Sequence, residues 1–133
     1  MEKLEFQVDS ITKNVSVVIQ RLEDFCKKLD INVDIIENLS IATDEAVTNI
    51  ILHAYEGRDN GRIEIAFNHE ENALSIQLID YGKSFKPGVI EKKPKFILDQ
   101  WEVGGFGLIL MNEFMDELRF SHDEQNKKNC LVM

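Results

Sequence analysis

The order in which the apolar period changes along this chain restricts its fold more than any other feature. Leu4, Phe6 and Val8 alternate with Glu5, Gln7 and Asp9, the two-residue period of a strand buried on one face. Two helical patterns then follow one another directly. Val15, Val18, Ile19, Leu22, Phe25, Cys26 and Leu29 recur at spacings of three and four, behind Ser10 as an N-cap. Ile35, Leu39, Ala42, Ala46 and Ile50 repeat the pattern behind a cap at Asn32 or Asp34, and the helix is expected to run to about Tyr55, with His53 and Tyr55 packing under its end. Glu56-Gly57-Arg58-Asp59-Asn60-Gly61 is rich in turn formers and stops it. Strands are expected near 62–68 and 74–80, with a connector short enough for a hairpin. Between 81 and 103 neither period shows, and both prolines and five lysines fall there. Structureless stretches of this length are uncommon in compact domains and often act as lids. A third helix near Gly105 and strands near 117–121 and 129–133 complete the chain. The order β-α-α-β-β-loop-α-β-β reads as α+β, a two-layer helix–sheet sandwich on a mostly antiparallel, mixed sheet.

Charge narrows the partners. Lys plus Arg total 15 against 24 Asp plus Glu, a formal net charge of −9. Such a field repels polyanions, so direct nucleic-acid binding and an anionic membrane surface are not expected. A small anion is still compatible, because a helix terminus acts locally. No apolar run approaches the ~18–20 residues of a membrane span, and the first residues lack a signal peptide's apolar stretch. Cys26 and Cys130 stand in no CxxC and read as reduced thiols of a cytoplasmic protein. His53, His69 and His122 form no HxH or HExxH, which argues against zinc.

Three places can carry chemistry. The first is Asp44-Glu45-Ala46-Val47-Thr48-Asn49 in the second helix. Glu45 and Asn49 share a face one turn apart, and the small Ala42 and Ala46 let a ligand approach it. Mg²⁺ takes oxygen ligands and keeps several waters, so the Asn49 carboxamide plus phosphate oxygens suffices to hold it. Glu45 can then accept a proton from an attacking hydroxyl. Taken alone, the two also read as an ordinary surface pair. The second is Asp80-Tyr81-Gly82 at a strand end. A carboxylate there can accept from an exocyclic amine such as adenine's, and the glycine clears space for a flat base. Alone it is equally a turn. The third is Gly104-Gly105-Phe106-Gly107-Leu108. Three glycines let backbone N–H groups converge on one anion, where a helix N-terminus adds about half a positive charge. Alone it is equally a hinge, and it matches neither GxxxxGK[ST] nor the dinucleotide fingerprint.

In this order the three resemble the ATP-binding domain shared by gyrase, Hsp90, histidine kinases and MutL. More narrowly, they resemble the bacterial anti-sigma-factor serine kinases. Glu45-Ala46-Val47-Thr48-Asn49 with His53-Ala54-Tyr55 is similar to their N box, Asp80-Tyr81-Gly82-Lys83-Ser84-Phe85 to their adenine box, and Gly104 to Leu108 to their glycine box. The resemblance implies one domain over 1–133 with an ATP lid at about 81–104. It implies that Asn49 ligates Mg²⁺, Glu45 is the general base, Asp80 reads the adenine amine beside Gly82, and Gly104, Gly105 and Gly107 cradle phosphates. The implied partners are a STAS-type anti-anti-sigma protein, phosphorylated on serine, and a sigma factor, bound alternately by a homodimer, with Arg21 as a partner-binding residue. Two positions depart from the family. Glu102-Val103 stand where lids often carry Arg or Ser, and Lys128-Asn129 where Gly-Thr commonly precedes the last strand. Asn129 is expected to replace the threonine's hydrogen bond at the adenine pocket. The competing expectation is a non-catalytic, nucleotide-dependent interaction module of the same fold.

Overall fold

The computed structural model describes residues 1–83, 88–89, 111 and 113–133. Strands β1 (Glu2–Asp9), β2 (Arg62–Glu70), β3 (Ala73–Asp80), β4 (Gly88–Val89), β5 (Arg119–Asp123) and β6 (Lys128–Val132) form one sheet in the order β1-β2-β3-β6-β5-β4. Its five pairings are all antiparallel among the described residues. Helices α1 (Asn14–Lys28) and α2 (Val33–Asn49) pack together over the sheet, which gives the expected α+β sandwich. Of the expected third helix, Met111, Glu113 and Phe114 are helical and the rest lies outside the described residues. No helix among the described residues is long and apolar enough to cross a membrane.

The core lies between the two layers. Alternation sends Ile63, Ile65 and Phe67 of β2 and Ile76 and Leu78 of β3 inward, where they meet Val18 and Leu22 of α1 and Val47 of α2. Phe6 and Phe25 set their rings 5.6 and 5.7 Å from that of Phe67, within the range in which aromatic pairs attract. Cys26 is buried among these groups and burial pushes its thiol up to about 11, so it behaves as a small apolar residue. Both cysteines are free thiols.

Two helix ends depart from the sequence reading. Ser10 does not cap α1, which starts at Asn14 behind Lys13 with no side-chain cap. Instead Ser10 is buried and ties down the linker between α2 and β2. Its hydroxyl donates to the Arg58 carbonyl and accepts from the Gly61 N–H at 2.9 Å. Its own N–H donates to the Gly61 carbonyl at 2.9 Å. The partly buried backbone groups of that turn that face Ser10 need partners, and this need outweighs a cap that water can replace. At α2 the two candidate caps resolve in favour of Asn32, whose side chain accepts from the Asp34 N–H at 2.8 Å.

The second departure matters for function. Helix α2 does not continue evenly to Tyr55; from Ile50 to Ala54 it widens into a π-helical turn. Tyr55 is buried, donates its hydroxyl to the Arg62 carbonyl and accepts from the Tyr81 N–H at 2.8 Å. His53, expected to pack with it, is exposed.

Candidate functional site

Glu45 and Asn49 lie on the last two turns of α2, both half-buried, on either side of the buried Ala46. Removal from water, and after it the negative charge of Asp44, raises the Glu45 pKa above the ordinary carboxylate value. The group is therefore a stronger proton acceptor than a free glutamate.

Asp80 ends β3 on the inner face of the sheet and is 1% exposed. Its Oδ1 accepts from the Gly82 N–H at 3.0 Å and from Asn129 Nδ2 at 2.8 Å. Its Oδ2 accepts no hydrogen bond among the described residues. Burial raises its pKa, opposed by the bonds from Asn129 and Gly82 and by the nearby His122. A buried carboxylate whose second oxygen is uncommitted favours any ligand that brings an N–H donor to it.

The turn after Asp80 is fastened to the end of α2. The Lys83 N–H donates to the Ala54 carbonyl at 2.7 Å. A Cβ at Gly82 would stand 2.3 Å from that same carbonyl oxygen and 2.5 Å from its carbon. The glycine thus clears space first for the backbone of the π-helical turn, a role the sequence reading assigned to a flat base. Ala54 lies five positions beyond Asn49, at most about 7.5 Å of helical rise. The Asp80 turn and the Glu45–Asn49 face therefore belong to one joined structure.

Asn129 faces Asp80 across the β3–β6 pairing and is fully buried. Its Nδ2 donates to Asp80 Oδ1 and to the Lys83 carbonyl at 2.9 Å, with a longer approach of 3.4 Å to the Gly82 carbonyl. Its Oδ1 lies 2.8 Å from His122 Nδ1. Only a donor can face an amide oxygen, so His122 carries its proton on Nδ1. His122 escaped the sequence reading, yet hairpin register places it directly opposite Asn129. A β5–β6 turn located to the residue would have revealed the pair.

Other expected residues lie apart or are not described. Arg21 is exposed on α1, with its guanidinium 4.7 Å from the centroid of the Phe6 ring in β1. Gly104, Gly105 and Gly107, with Glu102 and Val103, lie outside the described residues. Among the described residues no three His, Cys, Asp or Glu side chains gather as a metal cage. The oxygen donors on the Glu45–Asn49 face suit a hard cation that keeps most of its water, as Mg²⁺ does. A separate cleft of about 660 Å³, lined by Ile35, Leu39, Leu74, Phe114 and Met133 among others, shares none of the site residues.

Comparison with known proteins agrees with this fold. The histidine kinase-like ATPase domain family matches residues 9–133. The serine-protein kinase RsbW of Bacillus thuringiensis (strain Al Hakam) is 34% identical over 128 residues, 92% of this chain and 79% of its own. The RsbW of Bacillus licheniformis is 33% identical over 125 residues, 90% of this chain and 78% of its own. A crystal structure of the RsbU and RsbW domains of a Mycobacterium tuberculosis protein superposes with a TM-score of 0.72 at 16% identity. That likeness, a likeness of fold, covers 100% of this chain and 32% of the longer one.

Proposed function

The chain belongs to the histidine kinase-like ATPase domain family, on the branch of the anti-sigma-factor serine kinases, and from that premise we propose that it is an ATP-dependent protein-serine kinase. In this reading it forms one domain over 1–133, binds Mg·ATP, phosphorylates a serine of a STAS-type anti-anti-sigma protein, and exchanges that partner for a sigma factor. It does so in the cytoplasm as a homodimer, with Arg21 at the partner surface. The observation that carries the reading is Asp80: a buried carboxylate with Oδ1 held by Gly82 and Asn129, joined through Lys83 and Ala54 to the helix of Glu45 and Asn49.

Each residue has a defined task. Asp80 Oδ2 accepts from the exocyclic amine of adenine, which selects the base. Asn49 offers its carboxamide oxygen to Mg²⁺, and the ion, when bound, offsets charge on the phosphates. Glu45 takes the proton from the serine hydroxyl as the serine oxygen bonds to the γ-phosphorus. The bond from that phosphorus to the bridging oxygen breaks, and ADP leaves with the electron pair. Phosphoryl transfer asks the protein mainly for position and charge stabilisation, which these groups supply. Gly104, Gly105 and Gly107 would complete the phosphate cradle.

Incubation with γ-labelled ATP and a STAS-domain protein tests the reading. Wild type should label the partner on serine. Glu45→Gln should bind ATP as wild type does and transfer at least about 100-fold more slowly, the usual scale for a lost general base. Transfer by Glu45→Gln at the wild-type rate would remove Glu45 from the mechanism. ATP binding with no transfer by wild type would identify the non-catalytic module instead.

A further inference from the structure

His122 belongs to none of the three motifs, yet it is one hydrogen bond away from the group that holds Asp80. Its side chain is 13% exposed, with Nδ1 turned inward to Asn129 and Nε2 3.6 Å from Glu124 Oε1 at the surface. We propose that His122 is a positioning residue for base recognition: its Nδ1–H holds the Asn129 amide with the nitrogen on Asp80 Oδ1, which reserves Asp80 Oδ2 for the amine of the base. The inference rests on the base-reading role of Asp80 proposed above.

The physical case is an amide with two unlike ends. Three acceptors surround the Asn129 nitrogen: Asp80 Oδ1, the Lys83 carbonyl and, further off, the Gly82 carbonyl. Turning the amide over would set its oxygen against all three. The His122 donor rewards the native orientation at the opposite end and makes the reverse one unfavourable twice. Without that donor the amide is held less firmly, mainly from its nitrogen end. Its bond to Asp80 Oδ1 weakens, and Oδ1 competes for the donors meant for Oδ2. Because Asn129 also holds the Gly82 and Lys83 carbonyls, the whole turn after Asp80 loosens with it. Hairpin register makes the arrangement dependable, since His122 and Asn129 are Cα partners across β5 and β6.

The test compares equilibrium binding of Mg·ATP with that of the Mg²⁺ complex of purine riboside triphosphate, which lacks the 6-amino group. Wild type should prefer ATP. His122→Phe, similar in size and without a donor, should lose about tenfold of that preference, the scale of one hydrogen bond to a charged group. His122→Asn keeps an N–H donor on the atom equivalent to Nδ1 and should restore it. Equal weakening of both nucleotides in His122→Phe would mean a general structural role and would overturn the proposal. An unchanged preference would overturn it as well, while leaving Asp80 as the reader of the base. Should wild type itself not distinguish the two nucleotides, the role of Asp80 falls and this inference with it. The pair His122→Val and His122→Asn repeats the comparison with smaller side chains, so instability of the phenylalanine variant does not hide the answer.

Discussion

In the proposed site, Asp80 is a single side chain that favours the bound nucleotide at the expense of the empty fold. Its folded pKa is raised, chiefly by burial, so the unfolded chain ionises first as pH climbs. Its contribution to stability is therefore present below the ordinary carboxylate range and is lost as pH rises through the folded value. Asp80→Asn keeps an Oδ1 to accept from Gly82 and Asn129 and removes the buried charge. Nucleotide-free Asp80→Asn should thus melt higher than wild type at pH 7.5, and the gain should shrink as the pH is lowered into the carboxylate range. The same variant should lose at least about tenfold in ATP affinity, because it sets an amide donor against the adenine amine. Thermal melts across pH and one titration check both. Asp80 was legible because an aspartate two residues before a glycine marks a strand end on any reading. His122 was not, because its meaning comes from a partner seven residues away across a turn. Ser10 was misread for a related reason: its partners, Arg58 and Gly61, are tertiary, and local spacing favours a cap.

At the scale of elements, the junction between α2 and the end of β3 joins two motifs of the proposed site. The apolar spacing gave the extent of α2 well, since the three-and-four pattern persists through Ile50 and Ala54. It gave no sign of the π-helical turn, because five residues contain too little periodicity to separate two kinds of helix. Gly82→Ala probes the junction directly. A Cβ there meets the backbone oxygen of Ala54 rather than a side chain that could turn aside. The expected loss is about 1–3 kcal/mol of stability, typical of forced overpacking. Denaturant unfolding measures it, and ATP affinity should fall in the same variant as the Asp80 turn shifts from α2. A substitution that left both unchanged would show that the two elements part easily.

Across the whole molecule, the proposed site draws on α2, β3 and the β5–β6 hairpin together, so a bound nucleotide should stabilise both layers. At 100 times its dissociation constant, Mg·ATP should add about 2.7 kcal/mol, or roughly 8 °C in midpoint for a domain of this size. Chelation of Mg²⁺ should reduce the shift, and Asp80→Asn should abolish most of it. The layer architecture was legible because helices and strands announce their periods. The strand order was legible only in part, since β2-β3 follows from a short connection but the pairing of β1 with β2 across two helices and the insertion of β6 between β3 and β5 do not. That insertion brings Asn129 to Asp80 over 49 residues of sequence. The proposed base pocket is therefore incomplete until the β5–β6 hairpin has docked beside β3. On that proposal, affinity for nucleotide depends on a long-range closure of the sheet, and a variant whose hairpin is prised from β3 would sequester none.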